Sequence, residues 1–299
     1  MNSALLALIH PLTMTDFFTQ YEKNEPLLIE SNFKLHNDLL QLPFLWSLES
    51  MMLAWPNSVQ VHLPDVRDEA SSIETNTHRA KELFDDGMGL LFNEVQTISP
   101  MLTDWVQALR QDLGVSQLTI GRALVYATPD GKGTAPHFDQ NMNFVIQLHG
   151  TKIWTMAPNY HVKNPLTRHT MGLPMDPELA SYVDDEMPLE MPQNAQSYVL
   201  KTGSVLFVPR GYWHSTMAQG DALALNFTFT APTWLDLFSA ALRSRLAQSP
   251  EWRETADGVA DFDRVVISER RFDYLLKSLV NDLPNWKASD ILGATEAEM

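Results

Sequence analysis

The sequence predicts a mainly β protein with flanking helices. Short apolar segments bounded by Gly, Pro and polar turn residues recur between residues 90 and 230, a pattern that is typical of strands. After residue 230 the apolar side chains recur at helical spacing instead, over 233–246 and 270–283. Another helix is predicted over 99–113, because Pro lies in its first turn and Gly follows its end.

The part before this core combines short helices and strands. A helix is predicted over 14–21, with Thr13 or Thr15 as its N-cap. Segment 39–53 favours a helix but contains Pro43, so we expect two helical pieces there. Strands are predicted over 26–30 and 58–63. Residues 64–88 are charged and polar, and they form either a mobile lid near a pocket entrance or an inert solvated loop.

The β core contains most of the predicted strands. His149-Gly150-Thr151 has the composition of a hairpin turn, which would join a strand over 143–148 to another over 152–156. The other strands of the core are predicted over 89–95, 118–126, 205–208 and 222–229. The chain therefore divides into three expected parts: residues 1–89 pack on the core, 90–230 form it, and 231–299 are helical.

Three residues of the core have the pattern of a metal site. His137 and Asp139 are separated by one residue on an extended segment, so both side chains can point to the same side. His214 follows the predicted strand 205–208 and a turn rich in Pro and Gly. Two imidazoles and one carboxylate leave open positions on an octahedral metal, as in non-haem Fe(II) oxygenases. The sequence therefore favours an iron site for oxygen chemistry.

Other residues near these ligands predict a pocket. The strand over 222–229 places large apolar side chains on one face and Ala224, Asn226 and Thr228 on the other, where small and polar groups leave room for a ligand. Lys152 follows the predicted hairpin turn and is a candidate anchor for a carboxylate. From the residues alone, it could equally be a solvated lysine beside that turn.

Two segments, PHFDQNMNFVIQLHGTKIW and GSVLFVPRGYWH, resemble the JmjC or cupin-type Fe(II)/2-oxoglutarate oxygenases. That group includes the asparaginyl hydroxylase acting on hypoxia-inducible factor and the bacterial ribosomal oxygenases, and the resemblance covers about residues 90–230. It implies a core folded as a double-stranded β-helix, also called a jelly roll, with C-terminal helices. It also implies that His137, Asp139 and His214 are the iron ligands.

The resemblance also assigns cosubstrate residues. Lys152 falls where the family has the basic residue that pairs with the far carboxylate of 2-oxoglutarate, and Thr134 where a hydroxyl assists it. Asn143 and Asn226 match positions that line the cosubstrate pocket of the asparaginyl hydroxylase. Thr134 could be only a turn residue, and the two amides could satisfy buried backbone groups. The remaining histidines have no ligand-like pattern and are expected on the surface or in loops: His10, His36, His62, His78, His149, His161 and His169.

The activity that the resemblance implies is oxidation of a substrate C–H bond with O2, while 2-oxoglutarate is converted to succinate and CO2. Hydroxylation is the preferred outcome, and N-demethylation stays open because it follows when the attacked carbon is bound to nitrogen. Two alternatives remain: a metal cupin that does not use 2-oxoglutarate, such as a dioxygenase or isomerase, and a non-catalytic binding module. The intact ligand set opposes the binding module, and Lys152 would distinguish the two kinds of enzyme.

Composition limits the partners and the location. A net charge of −16 opposes broad binding to nucleic-acid backbones and suits a basic protein or peptide, although a small-molecule substrate stays open and acidity can serve solubility alone. The chain has no cysteine, which fits a reducing cytoplasm. It has no apolar run near the ~18 residues that a membrane span needs, so we expect a soluble protein.

Two regions outside the motif have expected roles. Residues 157–197 form a long insertion between Lys152 and His214, and connections of that length are usually functional or disordered. We expect this insertion to border the pocket and influence substrate choice, so that deleting it would leave metal binding intact. The resemblance implies a homodimer through the C-terminal helices, although these helices could fold back on their own barrel.

Overall fold

The computed structural model describes residues 3–62, 72–183, 185–289 and 291–292 of the chain. Its helices are α1 (Ala4–Ile9), α2 (Met14–Glu22), α3 (Phe33–Leu39), α4 (Leu48–Ala54), α5 (Thr77–Asp85), α6 (Pro100–Asp112), α7 (Pro177–Ala180), α8 (Trp234–Leu246) and α9 (Val265–Asp282). Its strands are β1 (Leu27–Ile29), β2 (Val59–His62), β3 (Ser72–Thr75), β4 (Leu90–Phe92), β5 (Ile120–Thr128), β6 (Gly133–Phe138), β7 (Met142–Ala157), β8 (His169–Thr170), β9 (Gln196–Leu200), β10 (Val205–Val208) and β11 (Trp213–Thr230).

The described strands form one antiparallel sheet built around two long strands. Along the main path the order is β1-β10-β7-β11-β5-β4-β2-β3, while β6 pairs with β11 and β8, and β9 pairs with β7. Strand β11 therefore pairs with β7 along most of its length and also with β5 and β6. The prediction of a mainly β core with flanking helices is confirmed.

The predicted hairpin turn at 149–151 is wrong, because β7 runs through these residues without reversing. Gly150 has a φ of +72°, and a Cβ built on it would lie 2.2 Å from the backbone oxygen of Asp221 on β11. The register between the two strands shifts here, from Gln219 opposite Thr151 to Leu223 opposite His149. The glycine is therefore required by a bulge and a close approach of two backbones, and such a glycine has the same composition signal as a turn.

Much of the segment 64–88 is ordered, which corrects the expectation of a lid or loop. Strand β3 pairs antiparallel with β2, and α5 follows it. Helix α5 buries Ala80, Leu83 and Phe84, which are three and four residues apart and so share one face among charged neighbours. Residues 63–71, where part of that expectation falls, lie outside the described residues.

The N-terminal elements pack on the sheet through aromatic side chains. Phe17 on α2 is fully buried, and its ring meets Phe207 of β10 edge-on at 5.1 Å and Phe144 of β7 at 5.7 Å. Helix α2 begins with a capping box between Thr13 and Asp16, so Thr13 is the N-cap. From the sequence, either Thr13 or Thr15 could be the N-cap, and the structure shows that it is Thr13.

The insertion predicted over 157–197 shares a small hydrophobic core with residues next to the candidate metal ligands. It contains β8 and α7, and β9 begins at its end. Val162, Met171 and Leu179 of the insertion pack with Phe138 and Trp213, which flank two of the candidate metal ligands in sequence. The described residues of this connection are therefore ordered.

The chain divides into two compact units. The first extends to Gly114 and resumes from Ile120 to Thr230, and the second comprises Val115–Thr119 and the chain from Ala231 on. In the second unit α8 begins with a capping box between Thr233 and Asp236, the third residue of the helix. None of the helices in the described ranges is long and apolar enough to cross a membrane.

Candidate active site

His137, Asp139 and His214 converge in the first unit. One possible ligand atom of each lies within 4.8 Å of the corresponding atoms of the other two. Strands β6 and β11 bring the histidines together, because His137 lies directly opposite His214 in their antiparallel register. Asp139 immediately follows β6, and its Oδ2 lies 3.8 Å from His137 Nε2 and 3.6 Å from His214 Nε2. Strand pairing thus brings residues far apart in sequence to one point.

The backbone fixes the orientation of both imidazoles. The Nδ1 of His137 lies 2.7 Å from the carbonyl oxygen of Ala135, and the Nδ1 of His214 lies 2.9 Å from that of Tyr212. A carbonyl only accepts hydrogen bonds, so each Nδ1 carries a proton, which leaves Nε2 of each ring, on the side away from the backbone, as the nitrogen that can bind a metal. This is the tautomer that binds a divalent metal through Nε2.

The charges around the three side chains also suit a metal ion. Burial raises the pKa of the Asp139 carboxyl, but the two adjacent imidazoles and the Arg168 guanidinium lower it more, so its pKa lies below the ordinary value. Burial, followed by the neighbouring His137 ring, lowers the pKa of His214 to about 4. At neutral pH, Asp139 is therefore ionised and His214 is neutral, as metal ligands must be.

These donors fit Fe(II). Two imidazole nitrogens and a carboxylate oxygen on one side of a metal form the facial set that leaves further positions open for other ligands. Among the described residues, no other group of three or more His, Cys, Asp and Glu side chains lies close enough to hold a metal. These three residues are therefore the candidate iron site of the described chain.

A cavity of about 220 Å³ extends from these ligands into the barrel. Strands β5, β6, β7 and β11 contribute most of its wall, so polar groups from several strands face one space. It is lined by Leu124, Tyr126, Thr134, His137, Asp139, Asn141, Asn143, Val145, Lys152, Trp154, His214, Thr216, Ala224, Asn226 and Thr228.

Lys152 is a buried residue of this wall. The residue is only 6% exposed, and its Nζ donates a hydrogen bond to Thr128 Oγ1 at 3.0 Å. A buried ammonium is costly unless it meets an anion or several acceptors. A carboxylate of 2-oxoglutarate fits this position, and the interpretation of Lys152 as a solvated residue beside a turn is wrong.

The amide pair forms another polar patch in the cavity. Asn143 Oδ1 accepts hydrogen bonds from Thr228 Oγ1 at 2.7 Å and from Asn226 Nδ2 at 3.4 Å. These contacts leave Asn226 Oδ1 buried without a hydrogen-bond partner. Because buried polar atoms are rarely unpaired, an acceptor of this kind beside the cavity indicates a place for a donor from a ligand or an ordered water.

Comparison with known proteins agrees with this site. A family model described as the JmjC domain matches residues 101–237. The chain is 32% identical over 261 residues to the uncharacterized protein YxbC of Bacillus subtilis, covering 85% of this chain and 79% of that protein. The chain belongs to the JmjC family of Fe(II)/2-oxoglutarate oxygenases. The prediction of that family from the sequence is confirmed.

A more distant relative and a solved structure extend the comparison. The chain is 27% identical over 237 residues to ribosomal oxygenase 1 of Gallus gallus, covering 70% of this chain but only 35% of that protein. The chain thus spans about a third of that relative. The X-ray structure of Escherichia coli YcfD superimposes with a TM-score of 0.51 and 16% identity, covering 90% of this chain and 68% of that chain, which supports the fold alone.

The structure brings every JmjC site residue predicted from the sequence to this cavity. Thr134 lines the wall, with its Oγ1 3.0 Å from Thr216 Oγ1. Ala224 and Thr228 line it too, as the alternation of their strand predicted. The remaining histidines are not all surface residues, since His36 and His169 are buried. His36 Nε2 lies 3.0 Å from the Leu148 carbonyl oxygen, which explains the burial of one of them.

Sequence reasoning missed several residues of this JmjC cavity. Trp154 lies on the wall, and its ring stacks on the His214 imidazole with centroids 5.5 Å apart. Its spacing from Lys152 could have indicated this position, because residues two apart on a strand share a face. Arg168 of the insertion forms an ion pair with Asp139, and only the fold could identify that contact. Tyr126 and Thr216 were also missed.

Proposed function

We propose that this chain hydroxylates a C–H bond of a protein or peptide substrate, using O2 and 2-oxoglutarate at the iron site. One observation carries the proposal: the three candidate ligands and a buried ammonium line the same cavity. Met156 lies opposite His214 on the neighbouring strand, and Lys152 is four residues along that strand. This spacing is about 13 Å between Cα atoms, which leaves room for a small dicarboxylate between the two side chains.

In this proposal the residues of the chain have separate roles. His137, Asp139 and His214 hold Fe(II), which with 2-oxoglutarate supplies the oxidising power for hydroxylation. Lys152 binds the far carboxylate of 2-oxoglutarate through a charge-assisted hydrogen bond, which is stronger than a neutral one. Thr134 adds a hydroxyl to the same cavity.

The amide pair orients the cosubstrate in this proposal. Asn226 Oδ1 has no hydrogen-bond partner and lines the cavity together with Asn143. Large apolar side chains on the opposite face of the same strand are buried, so water is excluded from that side of the wall. The chain thus positions the reactants and protects the site, while the metal and cosubstrate supply the chemistry.

Charge favours a basic protein segment as the substrate. The chain has a net charge of −16, and the stretch 171–195 of the insertion has no Lys, Arg or His. Its exposed acidic side chains are Asp176, Glu178, Asp185, Glu186 and Glu190. Relatives named ribosomal oxygenase also direct attention to ribosomal proteins, which are basic and are present in the cytoplasm, where we place the reaction.

Mass spectrometry of a peptide library tests this function. Purified protein, Fe(II) and 2-oxoglutarate are incubated with basic peptides from ribosomal proteins and with acidic peptides of equal length as controls. The expected result is a mass gain of one oxygen atom on a basic peptide, with succinate formed in equal amount. Loss of a methyl group would instead indicate demethylation.

Other outcomes would contradict parts of the proposal. Succinate formation that increases only with small molecules would contradict a protein substrate. Metal binding without any consumption of 2-oxoglutarate would favour a cupin that does not use it. A protein that binds peptide but neither metal nor 2-oxoglutarate would be a binding module.

We also propose that the helical region 231–299 forms a homodimer. Within the second unit, Trp234 and Leu235 of α8 and Ile267 of α9 are 78%, 57% and 66% exposed, so the described helices present apolar side chains to solvent. Exposed apolar residues in such numbers are typical of an interface. Light scattering should give the mass of two chains for the wild type and of one chain for W234E/L235E.

A matched control is available on the first unit. Leu53 on α4 is 91% exposed, and L53E likewise introduces a glutamate at an exposed apolar position there. This variant should keep the mass of two chains. A monomeric wild type would contradict the dimer.

A further inference from the structure

A short segment of the insertion contacts both parts of the chain that carry metal ligands. We call residues 165–171 the strap. Strand β8 of the strap pairs with β6, placing Thr170 opposite His137 and His169 opposite Phe138. The backbone nitrogen of Met171 donates a hydrogen bond to the Pro136 oxygen at 2.9 Å. The strap therefore continues the sheet beside the first ligand.

The other end of the strap contacts the turn before His214. The Arg210 guanidinium donates hydrogen bonds to the Pro165 carbonyl oxygen from Nε at 3.1 Å and from Nη2 at 2.6 Å. Gly211 packs so closely that a Cβ on it would lie 2.8 Å from Pro165 Cδ. The backbone nitrogen of Gly211 also donates a hydrogen bond to the backbone carbonyl oxygen of Asp139 at 2.8 Å. The strap, the turn and the Asp139 backbone thus form one connected structure.

Arg168 of the strap contacts the metal ligand Asp139 directly. If the register of β6 and β8 continues by one residue, Arg168 lies opposite Asp139. The guanidinium Nε is 3.3 Å from Asp139 Oδ1, while Oδ2 faces the two histidine Nε2 atoms. The two oxygens of this carboxylate therefore have different surroundings. Oδ1 contacts the Arg168 cation, and Oδ2 lies on the side of the proposed metal.

The difference matters because a carboxylate can bind a metal through one oxygen or both. Three protein ligand atoms leave three positions on an octahedral metal. A second oxygen from Asp139 would occupy one of these positions, and the cosubstrate and O2 need them. The positive guanidinium of Arg168 beside Oδ1 competes with the metal for that oxygen.

We propose that Arg168 is a positioning residue that retains Asp139 Oδ1, so that Asp139 binds the metal through Oδ2 alone. This inference rests on the proposed metal site. It makes the insertion part of the metal centre. The expectation that deleting the insertion would leave metal binding intact is therefore replaced by the expectation that coordination changes.

The test counts the waters bound to Mn(II), which replaces Fe(II) and requires no turnover. Water-proton relaxation is measured on full-length protein with Mn(II) alone, for wild type, R168M and R168K. R168M removes the charge but keeps an unbranched side chain, and R168K restores a cation. R79Q is the matched control, since Arg79 forms an exposed ion pair with Glu82 on α5.

The expected result is a loss of one bound water in R168M. Relaxation per bound Mn(II) should fall by about one third, from three waters to two, and R168K and R79Q should match the wild type. Circular dichroism checks folding, and if R168M does not fold, R168Q is judged by the same count. An unchanged count in folded R168M or R168Q, or complete loss of Mn(II) binding in it, overturns the inference. A wild type that binds no Mn(II) overturns the proposed metal site itself, and the inference with it.

Discussion

The two ends of the cavity are held in different ways. At the metal end, backbone carbonyls orient His137 and His214, and pairing of β6 with β11 sets their separation. At the other end, a side chain contacts a side chain, because Lys152 donates to a threonine, and elsewhere on the wall Asn143 accepts from Thr228. The metal end depends on the fold of the chain, whereas the other end depends on a few polar side chains.

The metal site is preorganised by the fold, whereas the hydrogen bonds of the rest of the cavity are completed only when a ligand binds. The ligand atoms of the three candidate residues lie within 4.8 Å of one another without an ion, so we expect metal binding to require little rearrangement. The cavity wall retains an unpaired acceptor, Asn226 Oδ1, which a bound ligand or water would satisfy. We therefore expect substitutions at the two ends to separate metal binding from cosubstrate binding.

The largest effect is expected at the metal end, from H137A. This change removes one of three ligands that the fold positions, so Mn(II) binding and succinate formation should fall to background. Isothermal titration with Mn(II) and a succinate assay measure both. The control is H78A on α5, where the His78 side chain is 90% exposed. Turnover of 2-oxoglutarate by H137A at the wild-type rate would exclude this site as the catalytic centre.

The second prediction concerns pH and the metal-free protein. The pKa of His214 is lowered to about 4, so between its ordinary value of 6.5 and about 4 the unfolded chain binds a proton that the folded chain does not. Stability therefore falls as pH falls through this window, by roughly 3 kcal/mol at most. Urea unfolding in the presence of a chelator, at pH 7 and pH 4.5, measures the loss.

The variant H214N assigns that pH dependence. Asparagine keeps a polar group but does not titrate, so the loss of stability between pH 7 and 4.5 should be smaller than in wild type. A remaining part is expected from His169, because burial lowers the pKa of this residue too. An equal loss in wild type and H214N would show that His214 is not the group responsible.

The third prediction tests the other end of the cavity through K152M. Methionine keeps much of the length but removes the charge, and a hydrogen bond to a charged group contributes about 1.5–3 kcal/mol. The affinity for 2-oxoglutarate should therefore fall about 10- to 100-fold, while Mn(II) affinity stays unchanged. The control K81M removes a surface lysine that pairs with Asp85. Equal losses of both affinities in K152M would contradict separate ends.

The same contrast explains what could be predicted from the sequence. The candidate metal ligands were predictable because the alternation of a strand is local, and His137 and Asp139 obey it. The distant candidate His214 followed from a strand and turn pattern. The bulge at Gly150 was not predictable, because the need for glycine there comes from Asp221 on another strand.

Contacts that depend on tertiary pairing were also beyond the sequence. Arg168 lies 29 positions from Asp139 in sequence, and only the pairing of β8 with β6 brings the two together. The segment around α5 looked solvated because its charged residues outnumber the apolar ones. Its buried face depends on three residues, Ala80, Leu83 and Phe84, whose spacing is the only local signal.

The smallest effects are expected within the amide pair, and their order tests whether Asn226 serves a ligand. T228V removes the 2.7 Å hydrogen bond to Asn143 Oδ1 and should lower the free energy of unfolding by about 1 kcal/mol. N226A removes an unpaired oxygen and only a 3.4 Å hydrogen bond, so it should cost less than T228V in the ligand-free protein. With 2-oxoglutarate and Mn(II) bound, the order should reverse, because N226A then lacks the acceptor that the ligand uses. Urea unfolding with and without both ligands measures the two orders, and an N226A protein that 2-oxoglutarate stabilises as much as wild type would show that this amide only supports the wall.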